Sequence, residues 1–160
     1  MIKREKIRIS KIVKTDALAV LELSNQKSVR SVSFNQNKIK LADHTSWFAG
    51  KLLDKNVIYL KASVNGTLAG QVRLDIAKKT AVIGVSTSER YRGRGIATRL
   101  IKRIVQIAQN RGLLRIDGYI KPENRASQAF FEKIGWIYQG RKKISGNLAL
   151  KYSLKLKVKK

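Results

Sequence analysis

The chain contains no cysteine, a single histidine, one proline and only 10 acidic residues. Without cysteine the protein forms no disulfide and has no cysteine nucleophile, and one histidine argues against a zinc site built from His and Cys. No apolar run reaches the ~18 residues of a membrane-spanning helix. The N-terminus also lacks the hydrophobic block of a signal peptide. We therefore expect no metal site, no membrane association and a cytoplasmic location.

Positive charge, by contrast, is in large excess. Thirty-five Lys and Arg residues against 10 acids give a formal net charge of +25. Such a balance is typical of proteins that meet nucleic acid or another polyanion. No basic strand interleaved with aromatics and no recognition-helix motif accompanies the charge. We expect a basic surface that can contact nucleic acid non-specifically, with dedicated nucleic-acid binding as an alternative.

The chain of 160 residues with 43% hydrophobic content can bury a sizeable core, and it shows no repeat, so we predict one domain over residues 1–160. Apolar and β-branched runs predict strands at 6–12, 57–64, 67–75, 80–86 and 113–119. Asn65-Gly66 predicts a type I′ hairpin turn between the second and third of these. In the last strand, even-numbered apolar residues from 148 to 158 face one way and Lys151, Lys155, Lys157 and Lys159 face the other.

Helices are predicted from periodic apolar positions and from their end signals. Asp16 can cap a helix that continues to about residue 23, and residues 41–53 form another, with Trp47 and Phe48 as core contacts. A third helix begins at Ile96 and stops at Gly112. Asn124 is a plausible cap for a fourth helix that ends before residue 135.

Residues 90–95, with the sequence RYRGRG, lie between a predicted strand and the helix that begins at Ile96. Gly93 and Gly95 let the backbone approach a bulky anion closely, and the free amides of a first helical turn attract negative charge. The spacing fits neither a dinucleotide fingerprint, which needs a third glycine at Thr98, nor a P-loop. We therefore predict a pyrophosphate site at this junction.

Arg-x-x-Gly-x-Gly at a strand-to-helix junction resembles the coenzyme A loop of the GCN5-related N-acetyltransferases, the GNAT superfamily. Residues 124–136, in which an Asn opens a helix that ends at Gly followed by an aromatic, resemble the second signature of that family. The resemblance implies an α+β (mixed α/β) GNAT fold: a central, twisted, mostly antiparallel sheet of six to seven strands, helices on both faces, and a splayed β4/β5 pair that receives the pantetheine arm. It also implies acetyl-CoA as the cofactor.

The residues that this resemblance assigns to the coenzyme lie in the two signatures. They are Ser86, Thr87, Arg90, Tyr91, Arg92, Gly93, Arg94, Gly95, Ile96, Ala97, Asn124, Ser127 and Phe131. Many members of the family carry Tyr where this chain has Phe131, and that Tyr is thought to protonate the departing thiolate. Phenylalanine cannot do so. Tyr119 is a substitute candidate, with a core aromatic as the alternative interpretation.

Transfer to an amine also needs a base, directly or through water. The titratable candidates by motif position are Asp75, His44 and Glu89. No Glu lies on the strand at 80–86, where several relatives keep their base. An amide near Thr87 is expected to polarise the acetyl carbonyl.

A further set of residues resembles the acetyltransferases of nucleotide-linked amino sugars in pseudaminic and related nonulosonic acid pathways. The set that we assign to the acceptor is Asn25, Arg30, Ser33, His44, Trp47, Gln71 and Arg73. This resemblance implies a small-molecule amine carried on a nucleotide. The alternatives are a protein amine, for example on a ribosomal protein, and a nucleic-acid- or ribosome-binding module that retains the fold. For Arg73 and Asp75 a plain ion pair is the structural alternative. Either a monomer or a homodimer is compatible with the sequence.

Overall fold

A computed structural model describes residues 5–158, in which seven strands form one sheet. The strands are β1 Ile7–Lys11, β2 Val57–Val64, β3 Thr67–Ala77, β4 Thr80–Thr87, β5 Arg115–Ile120, β6 Ile137–Ile144 and β7 Asn147–Lys155. Their order across the sheet is β1-β2-β3-β4-β5-β7-β6, and every neighbouring pair is antiparallel except β4 with β5. The predicted α+β class and its mostly antiparallel sheet are confirmed.

Five helices accompany the sheet in this described part of the chain. They are α1 Ala17–Ser24, α2 Lys27–Arg30, α3 Leu41–Leu53, α4 Ile96–Asn110 and α5 Arg125–Lys133. The sequence predicted four of them; α2, a single turn, was not predicted because four residues carry no periodic signal. Asn65 and Gly66 both have positive φ, at 50° and 83°, as a type I′ turn requires.

The two faces of the sheet carry separate apolar clusters. On one face the helix α4 buries Leu100 and Ile104 against residues of β3 such as Val72 and Leu74. On the other face α1 and α3 cover β2 and β3, where Phe48 packs beside Tyr59. Phe48 is therefore a core residue as predicted. Trp47 is 39% exposed, which corrects its assignment to the core.

The alternation predicted for the last strand holds only in its middle. Leu150, Tyr152 and Leu154 join the α4 face, whereas Lys151 lies on the opposite face. The strand ends at Lys155, and Leu148 and Val158 are exposed. These two flanking positions correct the prediction, because they extend past the part of β7 that other elements cover. Lys159 lies outside the described residues.

The parallel strands β4 and β5 separate after three paired positions. The pairs are Thr80 with Arg115, Ala81 with Ile116 and Val82 with Asp117, and none follows within residues 5–158. The next β5 residue is Gly118, where a Cβ atom would lie 3.3 Å from Ile83 and 3.6 Å from the ring of Trp136. These two side chains pack against the backbone where the strands part. The predicted splay is thus confirmed.

Gly70 of β3 controls how closely α4 approaches the sheet beside this splay. A Cβ atom on Gly70 would lie 2.9 Å from Cγ2 of Ile96 and 3.1 Å from the carbonyl oxygen of Ser86. Both obstacles are rigid, since Ile96 is buried in the first turn of α4 and the carbonyl belongs to β4. The close contact places the start of α4 against β3 at the residue that pairs with Thr87, the last residue of β4.

We expect Gly70→Ala to lower the free energy of unfolding by about 1–3 kcal/mol, because the added methyl overpacks this contact. Urea unfolding followed by circular dichroism would measure the loss. Gly50→Ala is the matched control, since Gly50 lies inside α3 with nothing within 4 Å of its Cβ position. That variant should be neutral or more stable. Equal stability of both variants would contradict the packing argument.

Candidate functional site

The predicted phosphate loop forms an open bend between β4 and α4. Gly93 and Gly95 adopt positive φ values of 75° and 77°, and no atom lies within 4 Å of the Cβ position of either. Gly95 is the N-cap of α4 and has no side chain to cap it. The amides of the first helical turn therefore point out of the bend without an intrahelical partner. An anion can approach this backbone without displacing a side chain.

Tyr91 anchors the loop and orders the arginines around it. Its side chain is 5% exposed, and the guanidinium groups of Arg90 and Arg94 each lie 5.4 Å from its ring centroid. Arg94 also pairs with Glu5, and Arg92 donates a hydrogen bond to Ser28 Oγ at 3.0 Å. Several arginines therefore lie beside the open bend, where a diphosphate could pair with them.

Gln26, which lies between α1 and α2, connects that segment to the start of this loop. Its Nε2 donates to Ser88 Oγ at 3.0 Å, and its Oε1 accepts from the amide of Glu89 at 2.9 Å. Ser88 itself donates its amide to the carbonyl of Ala69 on β3, at 2.8 Å. We did not predict Gln26 from the sequence. Its partners lie 62 and 63 residues away, and no local signal connects them.

A chain of polar side chains lies beside the loop on the face that α1 covers. Tyr59 donates its hydroxyl to Gln71 Oε1. Gln71 in turn donates through Nε2 to Ser86 Oγ at 3.1 Å and to Ser24 Oγ at 3.3 Å. Burial raises the pKa of Tyr59 to about 12, so the hydroxyl stays neutral and remains a donor. Gln71 and Ser86, both predicted site residues, are thereby brought together at the end of β4.

Asp75 lies further along β3 and is held by two cations. Its carboxylate accepts from Lys51 Nζ at 2.7 Å and from Arg73 Nε at 3.0 Å. Burial alone would raise the pKa of Asp75, but the hydrogen bonds and charges of Lys51 and Arg73 outweigh burial and hold that pKa below its ordinary value. A carboxylate stabilised in this way is a weak base, and Asp75 pairs with Val82 rather than with the end of β4. Asp75 is therefore poorly suited to act as the base.

His44 is a packed core residue, which corrects its assignment to the acceptor pocket. The ring is 3% exposed, its Nε2 lies 2.8 Å from the carbonyl oxygen of Ala17, and it stacks on Phe48 at 5.5 Å. A carbonyl can only accept, so Nε2 must carry the proton and donate. The imidazole joins α3 to α1 and is not available to take a proton from a substrate.

Three other predicted acceptor residues organise the segment between α1 and α3. Asn25 makes two hydrogen bonds with the backbone of Ile39, at 3.0 and 2.8 Å. Arg30 donates to the carbonyl oxygens of Ser24, Asn35 and Asn37 and to Ser33 Oγ. Ser33 donates to the carbonyl of Val29 at 2.7 Å. These side chains hold the loop between α1 and α3 in place, and their contact with a substrate stays a prediction.

The second predicted signature forms α5 and packs into the main core. Asn124 caps the helix by accepting from the amide of Ser127 at 3.2 Å. Phe131 is 4% exposed, and its ring centroid lies 4.8 Å from that of Trp136. The ring therefore packs against Trp136, which in turn lies beside Gly118 where β4 and β5 separate. Its contact with the coenzyme stays a prediction, as do those of Asn124 and Ser127.

Of the remaining catalytic candidates, Glu89 and Tyr119 lie in suitable elements. Glu89 is exposed in a 3-10 turn, two residues after β4 ends at Thr87. Tyr119 is half-buried on the separated part of β5. Both side chains keep contact with solvent. Within residues 5–158 no three His, Asp or Glu side chains are grouped as a metal site, and no helix is long and apolar enough to cross a membrane.

Comparison with known proteins agrees with this geometry. The sequence profile of the acetyltransferase (GNAT) family matches residues 21–136. The chain belongs to the GNAT acetyltransferase family. It is an acyltransferase that uses acetyl-CoA, and its open, uncapped bend fits the diphosphate of that coenzyme.

Two curated relatives and one solved structure illustrate the match. YwnH of Bacillus subtilis (strain 168), whose name assigns it provisionally as a phosphinothricin acetyltransferase, is 26% identical over 132 residues, 78% of this chain and 80% of that protein. The L-2,4-diaminobutyric acid acetyltransferase of Methylotuvimicrobium alcaliphilum is 44% identical over 48 residues, 30% of this chain and 28% of that enzyme. The yncA structure from Salmonella typhimurium, solved with acetyl-CoA, has a TM-score of 0.80 at 18% identity and covers 94% of both chains.

We expect Gly93→Val to weaken acetyl-CoA binding strongly while costing little stability. A β-branched residue is strained at a φ of 75°, so the bend must change shape. Isothermal titration calorimetry with acetyl-CoA measures the effect. Gly66→Val, which introduces the same strain in a hairpin turn far along the chain, should bind normally. Unchanged affinity in Gly93→Val would show that the bend does not hold the coenzyme.

Gln26→Ala should leave the protein folded but raise the KM for acetyl-CoA, because the start of the loop loses both hydrogen bonds that fix it. Each is worth about 1 kcal/mol, so the loss of both should change the KM by about thirtyfold. Gln36→Ala is a suitable control, since Gln36 bonds only within its own loop, to Ser31. Equal steady-state constants for the two variants would contradict the clamp.

Proposed function

We propose that this GNAT acetyltransferase transfers the acetyl group of acetyl-CoA to a primary amine of a small acceptor. An amino sugar carried on a nucleotide is the acceptor suggested by the sequence. One observation carries the proposal: the open bend at Gly93 and Gly95 lies directly after the β4 edge that β5 leaves free. A coenzyme gripped by the bend can therefore extend along an edge that has room for it.

Bound acetyl-CoA supplies an activated thioester, so the protein mainly has to position two reactants. Positioning alone contributes several kcal/mol when the reacting atoms are held in line, on the order of 7–11 kcal/mol at best. In this proposal the bend and its arginines hold the diphosphate of the coenzyme. Ser86 and Thr87 are the last two residues of β4, beyond the point where β4 and β5 separate. We assign the amide near Thr87 to the acetyl oxygen, where it stabilises negative charge in the transition state.

The incoming amine must lose a proton, and Glu89 is the base that the fold favours. His44 is enclosed in the core and Asp75 is held as a stabilised ion, which leaves Glu89 as the exposed carboxylate beside the end of β4. The amide of Glu89 donates to Gln26, and this hydrogen bond fixes the position of the Glu89 backbone beside the end of β4. A water molecule between the carboxylate and the amine is compatible with this placement.

The leaving thiolate has Tyr119 as its candidate acid. The side chain lies on the part of β5 that has separated from β4, two residues after the last paired position at Asp117. Phe131 offers no proton, and its ring is enclosed by aromatic neighbours. A thiol with a pKa of about 8.5 is already a fair leaving group, so proton donation need contribute only modestly.

The names of the relatives favour a second acceptor class, amino acids. YwnH is named for phosphinothricin, and the 48-residue match is to an enzyme named for L-2,4-diaminobutyric acid. Both classes combine an amine with an anionic group. A protein amine is a third acceptor. Hydrogen bonds of Gln26, Asn25 and Arg30 hold the segment between α1 and α3 close to the loop after β4, which suits a small molecule better than an extended peptide.

Thiol release from acetyl-CoA, measured with a panel of amines, tests the proposed reaction. Glu89→Gln should lower kcat by about 10²-fold or more with the best acceptor while acetyl-CoA binding is kept, because the base is lost and the loop is not. Glu22→Gln is the control, since Glu22 is exposed on α1. No thiol release with any amine, or a Glu89→Gln enzyme as fast as the wild type, would contradict the respective part of the proposal.

A further inference from the structure

Arg73 is an immobilised guanidinium on the face of the sheet that α1 and α3 share. Its Nε donates to Asp75, and its Cζ lies 4.8 Å from the ring centroid of Trp47 and 5.8 Å from that of Tyr59. The side chain keeps 25% of its surface exposed. The entropy of ordering a long side chain has thus already been lost before any ligand arrives, which favours binding.

The cluster around Arg73 carries a surplus of positive charge. Asp75 is shared between Arg73 and Lys51, so two cations face one carboxylate. Lys61, the next lysine on this face, is neutralised by Asp16 and does not change the charge of this cluster. The net charge of the Arg73, Lys51 and Asp75 cluster is therefore +1. A ligand anion placed here meets an uncompensated charge in a partly buried site, where such pairing is stronger than in water.

The strand beside Arg73 leaves room for that ligand. Arg73 pairs with Gly84 of β4, and a Cβ atom on Gly84 would lie 3.9 Å from Nη2 of Arg73. Gly84 and its neighbour Val82 on the same face are both exposed. Any larger residue at position 84 would occupy the space in front of the guanidinium. The glycine leaves the space beside Nη2 open, while the guanidinium lies over the rings of Trp47 and Tyr59.

The distance along β4 connects this position with the transfer site. Gly84 precedes Thr87 by three residues, which corresponds to about 10 Å along a strand. The polar chain formed by Gln71 and Ser86 lies on the same face between the two positions. A small molecule that spans up to about 10 Å can therefore place its amine near Thr87 and an anionic group at Arg73.

We propose that Arg73 binds an anionic group of the acceptor, so that the substrate class is a small amine that also carries a carboxylate or a phosphate. The carboxylate would come from an amino acid and the phosphate from a nucleotide-linked sugar. A planar guanidinium with a free edge suits either anion. This inference rests on the proposed acetyl transfer. It disfavours polyamines and other cationic acceptors, which a protein of net charge +25 repels.

Matched acceptors test this inference without identifying the natural substrate. L-2,4-diaminobutyrate and 1,3-diaminopropane differ by one carboxylate, and a UDP-linked amino sugar differs from the free amino sugar by the nucleotide diphosphate. The wild-type enzyme should prefer the anionic member of at least one pair by about tenfold or more in kcat/KM. Which pair shows the preference distinguishes the carboxylate from the phosphate.

Arg73→Gln should remove that preference by raising the KM for the anionic acceptor, while the KM for acetyl-CoA stays near the wild-type value. Arg73→Lys should restore part of it, since charge is kept and the fork geometry is lost. Arg103→Gln on the exposed face of α4 removes the same charge away from the site and should behave as wild type. Acetyl-CoA titration of each variant verifies that the fold is intact.

The outcomes separate the two proposals. If the wild-type enzyme acetylates amines but shows no preference within either pair, or if Arg73→Gln keeps the preference, the role of Arg73 is refuted and acetyl transfer stands. If the wild-type enzyme binds acetyl-CoA and acetylates no member of either pair, while a peptide amine is acetylated, the anionic small-molecule class is overturned. If no amine is acetylated at all, both proposals fall.

Discussion

The separation of β4 from β5 is the constraint on which the rest of the site depends. Two parallel strands that pair over three residues would normally continue, because each unpaired backbone group loses a hydrogen bond. Here Ile83 and Trp136 pack against Gly118 just beyond the last pair. These two side chains pack where the strands part, and beyond Val82 the edge of β4 has no pairing with β5 in the described part of the chain.

The positive charge of the protein is used locally in two different ways. At the phosphate loop, Arg90 and Arg94 lie around Tyr91 beside amides that already attract an anion. At Arg73, the guanidinium is held by a carboxylate and an aromatic ring, and a second cation leaves the cluster positive. These sites involve only a few of the 35 basic residues. The general surplus raises the local concentration of anionic ligands, whereas in our proposal the ordered groups select among them.

Local sequence signals predicted the fold and the shape of the bend at Gly93 and Gly95, but not the partners of Arg30 and His44. Gly93 and Gly95 act through their own backbone, and their strand-to-helix context is contiguous, so a short motif suffices. Arg30 and His44 have residue types that suit a substrate pocket, yet their partners are backbone carbonyls that only the tertiary fold brings near. Side-chain roles that depend on distant partners cannot be read from spacing alone.

Gln26 shows why the two halves of the cleft should be considered one unit. Its amide group bonds to both Ser88 and Glu89, while Ser24, two residues earlier, bonds to Gln71 and thereby to Ser86. The end of α1 is therefore attached to the residues on both sides of Thr87. Any shift of the coenzyme loop must move the segment that contains Ser24 and Gln26 or break these hydrogen bonds. In the proposed reaction the same few hydrogen bonds would set the positions of both the cofactor and the acceptor, as an in-line transfer between two bound molecules requires.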